Sequence, residues 1–178
     1  MKVSFISECI AAVLITACGG SQGPSDSGGP TFVAYASTFQ PFRMWTSFQD
    51  PGPPDDGTYP ASVLGPRTQY INTTPPHGST AFPTGTVIVE VRMDTGKIFS
   101  GVKRGGGYNA AGAINWEWFE LQEASGPGST VSIVWRGVGP PPGDTYGSDP
   151  SNTCSSCHAM CGAGNDYVCS PKLQLASF

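Results

Sequence analysis

A chain of 178 residues with a formal charge of −4 suits one domain plus flanking segments, and no basic run exceeds Lys103-Arg104. That argues against nucleic acid or an anionic membrane surface as a partner. Gly (24) and Pro (17) are abundant, but four Trp, nine Phe and six Tyr fall in short alternating runs, which points to an ordered β domain with long loops rather than to disorder.

Met1-Lys2 is a minimal positive start, and Ile10 to Ile15 is a short apolar stretch interrupted upstream by Glu8. Ile15-Thr16-Ala17-Cys18 supplies the small residues that a signal peptidase needs. This stretch resembles the lipobox of bacterial lipoproteins, in which the cysteine becomes the lipidated first residue. The expectation is a signal peptide over 1–17, with Cys18 as the lipid site. The mature chain would then be exported and held at a bacterial membrane by its lipid alone, facing the periplasm or the cell exterior. No stretch reaches the ~18 apolar residues of a spanning helix. From Gly19 to Pro30 the chain reads GGSQGPSDSGGP, a flexible tether, so 18–35 is expected to link the anchor to a domain over 36–178.

Within that domain, "FQPFRMWTSF" (39–48) is aromatic-rich and reads as a short helix, and "DPGPPDDG" (50–57) as a loop. Period-2 signals follow. "TQYIN" (68–72) is a strand. "TVIVEVRM" (86–93) alternates, with Val87, Val89, Val91 and Met93 on one face and Ile88, Glu90 and Arg92 on the other. Asp94-Thr95-Gly96 is a tight turn into "KIFSGVK" (97–103), and "GGGYNAAG" (105–112) reads as a mobile loop. "INWEWFEL" (114–121) puts Trp116 and Trp118 on one face and Glu117, Phe119 and Leu121 on the other; "TVSIVWRG" (130–137) ends the series. Together these predict a mainly β (α+β) domain, one antiparallel meander of about five strands with short flanking helices. A Gly/Pro loop over 137–150 then leads to a short helix near Cys154, capped by Asn152 or Thr153 and stopped by Gly162.

That helix carries "CSSCHAMC". With Cys9 in the signal segment and Cys18 at the lipid site, four cysteines remain: Cys154, Cys157, Cys161 and Cys169. Cys154-x-x-Cys157-His158 is the attachment signature of a c-type haem. Two thiols on one helical turn reach the vinyl groups along one porphyrin edge, and the next residue, His158, projects to the iron. A zinc or iron–sulfur site on the four cysteines is a second reading, and disulfides alone a third. If haem takes Cys154 and Cys157, then Cys161 and Cys169 are left to pair in an oxidising compartment. The methionine after His158 is Met160, too close to reach the opposite haem face, so the sixth iron position is expected to be open. His77, in "PPHGS", is an upstream alternative sixth ligand but reads better as a solvated loop histidine.

With these residues assembled, the chain resembles the cytochrome P-460 family, which includes the β-sheet cytochromes c′. The matching stretches are "FRMWTSF" (42–48), "QYIN" (69–72), "FPTGTVIVEV" (82–91), "GVKRGGGY" (101–108), "WEWFEL" (116–121) and the late "CSSCH". The resemblance implies a five-stranded sheet, one haem c with a proximal histidine, and a homodimer. It also implies one of two activities: nitric oxide binding in an apolar pocket, with or without electron transfer to a redox partner, or hydroxylamine oxidation by a lysine-cross-linked haem with a distal carboxylate. Glu90 stands where the cross-linking lysine is expected, which argues against hydroxylamine oxidation; Lys97 and Lys103, on the next strand, are the alternatives for that lysine but read better as surface charges on a hairpin. Glu117 falls near the expected carboxylate, as a general base, and Phe119, on the same face, is the expected cap over the iron.

Overall fold

The structure, a computed structural model, describes residues 29–53, 65–138 and 153–178. The proposed signal peptide, Cys18 and most of the tether lie outside these residues. The chain is already docked at the tether's end: Thr31 bridges Gly105, Phe32 donates its backbone N–H to the Arg104 carbonyl at 2.8 Å, and Ala34 is buried. The folded part therefore starts ahead of the expected boundary at 36.

The described residues form one open antiparallel sheet of six strands in meander order. These are β1 (Thr46–Asp50), β2 (Arg67–Ile71), β3 (Val87–Arg92), β4 (Ile98–Lys103), β5 (Trp116–Glu123) and β6 (Val131–Gly137). Five match the predicted strands within a residue or two. The sixth, β1, emerges from the aromatic segment read as helical. A helical turn, α1 (Ala36–Phe39), ends at the first residue of that segment, and the segment itself holds only a 3-10 turn at Phe42–Met44. Its last part, TSFQD, holds only one large apolar residue and lies at the sheet edge, so it has no alternating pattern to betray it.

Both faces of the sheet are covered. On face one, Val87, Val89, Ile98, Val102, Phe119, Leu121 and Val131 pack under Ala34, Phe39 and Phe42 from the N-terminal segment. On face two, Ile71, Trp116 and Trp118 pack under Phe82, Ala113, Val168, Leu173 and Leu175, with Cys154 against the same cluster. Alternation along β5 divides the two sets, since successive side chains of a strand point to opposite faces. Gly101 makes face two possible. It pairs with Trp118, and a Cβ there would stand 2.9 Å from the Trp118 ring and 3.4 Å from Trp116. Without a side chain on β4, the two indoles stack across it at 6.1 Å.

The helix α2 (Cys154–Ala159) lies on face two. Thr153 caps it: its hydroxyl accepts from the Ser156 N–H at 3.1 Å, and the Ser156 hydroxyl accepts from the Thr153 N–H at 2.8 Å.

Candidate functional site

The site is built on α2, and what holds α2 is the loop before β5. Ser155, the second residue of CSSCH, is buried. Its hydroxyl accepts from the Ala113 N–H at 3.0 Å and from Asn109 Nδ2 at 2.6 Å, and its carbonyl accepts from Ala113 N–H at 3.2 Å. Gly112 closes against it at φ +81°, where a Cβ would collide with Ser155 Oγ. The loop over 105–112, expected to be mobile, is thus the dock for the helix. Its backbone is also tied internally, from Asn115 N–H to the Tyr108 carbonyl at 2.7 Å.

Cys154 and Cys157 are not in a disulfide, both are partly buried, and burial pushes the Cys157 thiol pKa up. His158 stacks on Trp118 with ring centroids 4.0 Å apart. Its Nδ1 meets the Tyr167 carbonyl at 2.9 Å. A carbonyl only accepts, so Nδ1 carries the proton and Nε2 is left bare. His158 keeps part of its surface accessible, yet the burial around it pushes its pKa down to about 4, opposed by the Tyr167 hydrogen bond. The site imidazole is therefore neutral at pH 7, as a metal ligand must be.

Cys161 and Cys169 are joined in a disulfide with Cα atoms 5.2 Å apart, and Cys169 Sγ lies 3.6 Å from His158 Nδ1. A four-thiolate metal site is therefore unavailable. Among the described residues no group of three or more His, Cys, Asp or Glu side chains is arranged to hold a metal ion.

Three expectations are corrected by the sheet's geometry. Glu117 and Phe119 share a face, but it is face one, opposite α2 and His158. Phe119 is core, with its ring 5.1 Å from Phe39. Glu117 is 2 % exposed and held by two arginines: Arg136 binds bidentately at 2.8 and 2.9 Å, and Arg104 at 3.2 Å. A carboxylate clamped by two guanidinium groups on the far side of the sheet is neither a distal base nor a solvent-facing side chain, and Phe119 is no cap. Lys103 is corrected too. It is no surface charge on a hairpin: it lies buried on face two, its Nζ 2.5 Å from Asp166 Oδ1 and 5.3 Å from the Trp116 ring centroid.

Glu90, Lys97, His77 and Met160 complete the set of candidate residues. Glu90 lies on face two, ion-paired with Arg67 at 3.1 Å. Lys97 Nζ stands 6.0 Å from the Phe99 ring centroid. His77 is exposed, with Nδ1 2.8 Å from the Phe178 carbonyl oxygen, and Met160 is 77 % exposed.

The residues that sequence reasoning missed are Trp118, Ser155, Asp166 and Tyr167. Alternation places Trp118 on a face, but that this face meets the histidine has no local signal. Ser155 occupies a position the signature leaves free. Asp166-Tyr167 lie inside the Cys161–Cys169 loop, and the pairing of those cysteines is the one clue that the loop is structured.

The residues present suit a covalently attached haem. Two cysteines outside the disulfide and a histidine with Nδ1 committed to a carbonyl would form the proximal half of such a site. Beside them Trp118 Nε1 is buried with no hydrogen-bond partner among the described residues, a donor suited to an acceptor such as a porphyrin carboxylate. Compared with protein-family models, curated proteins and solved structures, the chain matches none. The likeness to the cytochrome P-460 family rests on the motifs quoted above.

Proposed function

We propose that this chain is an exported c-type haem protein of the cytochrome P-460 kind, which binds a small neutral ligand such as nitric oxide at an open iron position and exchanges electrons through the same haem. The observation that carries this reading is the presentation of His158. CSSCH sits on a capped and docked helix, and the imidazole has its Nδ1 proton engaged and its Nε2 bare. Cys154 and Cys157 would form the thioethers, and His158 would ligate the iron. Haem, when bound, supplies the iron site for a diatomic ligand and a one-electron couple.

The chain's own residues do the rest. Trp118 flanks the imidazole and excludes water from it. The partly buried Phe48, Ile88 and Trp135, which pack in the same cluster as Cys154, make the surroundings apolar. Apolar surroundings favour a neutral diatomic over an anion, because burying an anion there is costly.

Ligand binding is preferred over hydroxylamine oxidation because the side chains that oxidation would call on are engaged elsewhere. Glu117 is bound to two arginines, Lys103 to Asp166, and Glu90, where the lysine is expected, to Arg67. Cys18 would carry the lipid anchor, so Cys18→Ser is expected to move the protein from the membrane to the soluble fraction.

The test is the visible spectrum of the protein exported with the haem-attachment machinery. A Soret band with ordinary ferrous c-type bands that shift when nitric oxide is added is the expected result. A strongly red-shifted ferrous band would support hydroxylamine-type chemistry instead. A colourless protein would end the haem reading.

A further inference from the structure

We infer that the buried Lys103–Asp166 ion pair is a positioning device for His158, acting through the backbone carbonyl of Tyr167; this rests on His158 being the ligating histidine proposed above. The two side chains are 8 % and 7 % exposed, with Nζ and Oδ1 2.5 Å apart. Removing two charges from water is costly, and a buried pair is often no better than two well-packed apolar residues, so stability alone does not explain its presence. What it does provide is registry.

Asp166 is clamped from three directions. Its Oδ1 accepts from Lys103 at the end of β4, and its Oδ2 accepts from the Phe82 N–H at 2.9 Å. Its carbonyl accepts from Trp116 Nε1, on β5, at 2.9 Å. Trp116 also lies under the Lys103 ammonium, so the clamp is one connected unit.

This clamp holds an unfavourable backbone. Asp166 and Tyr167 have φ of +49° and +65°, two consecutive left-handed residues of which neither is glycine. Such a conformation persists only where its surroundings over-determine it. Its consequence is directional. The chain reverses so that the Tyr167 carbonyl points back at His158 Nδ1, 2.9 Å away. The Cys161–Cys169 disulfide brackets the same segment. The path of contact therefore runs from β4 through Asp166 and the Tyr167 carbonyl to the imidazole. A relaxed 166–167 turn would swing that carbonyl away and leave both ring tautomers accessible.

The outer partner of a ligating histidine fixes its tautomer and ring orientation and raises its basicity. Lys103 and Asp166 are thus positioning residues: neither touches the ring.

The test is nitrogen-15 NMR of the full chain carrying Cys154→Ala and Cys157→Ala, which cannot attach haem, with the disulfide intact. The parent is expected to show one His158 tautomer, protonated at Nδ1, with a slowly exchanging proton. Lys103→Met in that background is expected to give a mixture of tautomers and exchange of that proton at least tenfold faster, with β-sheet amide protection unchanged. An unchanged tautomer and exchange rate would overturn the inference. So would loss of sheet protection in the same proportion, which would make the pair a packing feature only. Should Lys103→Met fail to fold, Asp166→Asn removes the charge of the pair and keeps the side chain's shape and an acceptor for the Phe82 N–H; an unaltered His158 in that variant overturns the inference equally. In the haem-loaded protein, Lys103→Met is expected to lower the frequency of the ferrous iron–histidine stretch. The NMR arm needs no haem, so a colourless exported protein would defeat the proposed function and leave the NMR result standing.

Discussion

Glu117 shows how far a side chain's chemistry depends on which face it occupies. Its carboxylate is 3 % exposed, whereas the Arg104 and Arg136 side chains that bind it are 27 % and 35 % exposed. The Arg136 guanidinium also donates to the Ala34 carbonyl at 3.1 Å, and the Glu117 hydrogen bond raises the Arg136 pKa. Glu117→Gln keeps the shape and removes the charge. Discounted for the hydration left to the arginines, the expected loss is about 1–2 kcal/mol, read as a lower denaturant midpoint, with the proposed nitric oxide binding unchanged. A loss of binding at full stability would return Glu117 to the site. His158 gives a second prediction, for the haem-free chain. Its folded pKa is about 4 against an ordinary 6.5, so the fold favours the neutral ring. The resulting stability is fully present above pH 6.5 and is lost as pH falls toward 4. The contribution is at most ~3 kcal/mol, one pKa unit being worth about 1.4. Urea titrations at about pH 7, above that window, and at about pH 4.5, near its lower end, should differ less for His158→Gln than for the parent.

At the scale of elements, the contact between β4 and β5 decides whether face two exists. Gly101 sits in β4 opposite Trp118 because nothing larger fits beneath the two stacked indoles. Gly101→Ala places a methyl 2.9 Å from the Trp118 ring carbon, with Trp116 at 3.4 Å. Neither indole has room to yield, since both belong to the buried cluster. The expected cost is ~1–3 kcal/mol of overpacking, together with a changed tryptophan emission spectrum, because Trp118 must leave His158. The helix α2 depends on its dock in the same way. Ser155→Ala removes the hydroxyl that accepts from Ala113 N–H and Asn109 Nδ2; each donor keeps a second acceptor, the Ser155 and Ala113 carbonyls respectively, so the expected cost is that of the lost hydrogen bonds, ~1 kcal/mol. If α2 presents the haem thiols, the fraction of exported protein that carries haem should fall as well.

Across the whole molecule, the C-terminal segment over 153–178 is a cover for face two, as the N-terminal segment is for face one. It has little regular structure: α2 is six residues long and two 3-10 turns follow. The Cys161–Cys169 bridge spans a sequence separation of 8 and constrains this segment before it folds. Loop-closure entropy gives ~2–3 kcal/mol, so Cys161→Ser with Cys169→Ser should lower stability by about that amount and speed proton exchange at His158. Much of this architecture was legible in the sequence. Period-2 alternation is a local signal, and it located five of the six strands, put Trp116 and Trp118 opposite Glu117 and Phe119, and implied a meander through the short turns. The Cys-x-x-Cys-His spacing and its capping threonine are equally local, and they put the candidate site on a helix. The first strand escaped because a short edge strand with one large apolar residue has no alternation to read. The decisive matter was beyond any local pattern. Alternation says which residues share a face, not which face receives a segment that returns much later in the chain. Only the packing of that segment brought His158 onto Trp118, left Phe119 and Glu117 on the other side, and buried Lys103 against Asp166. These contacts join positions remote in the chain, and burial of large side chains selects them rather than the propensity of any one stretch.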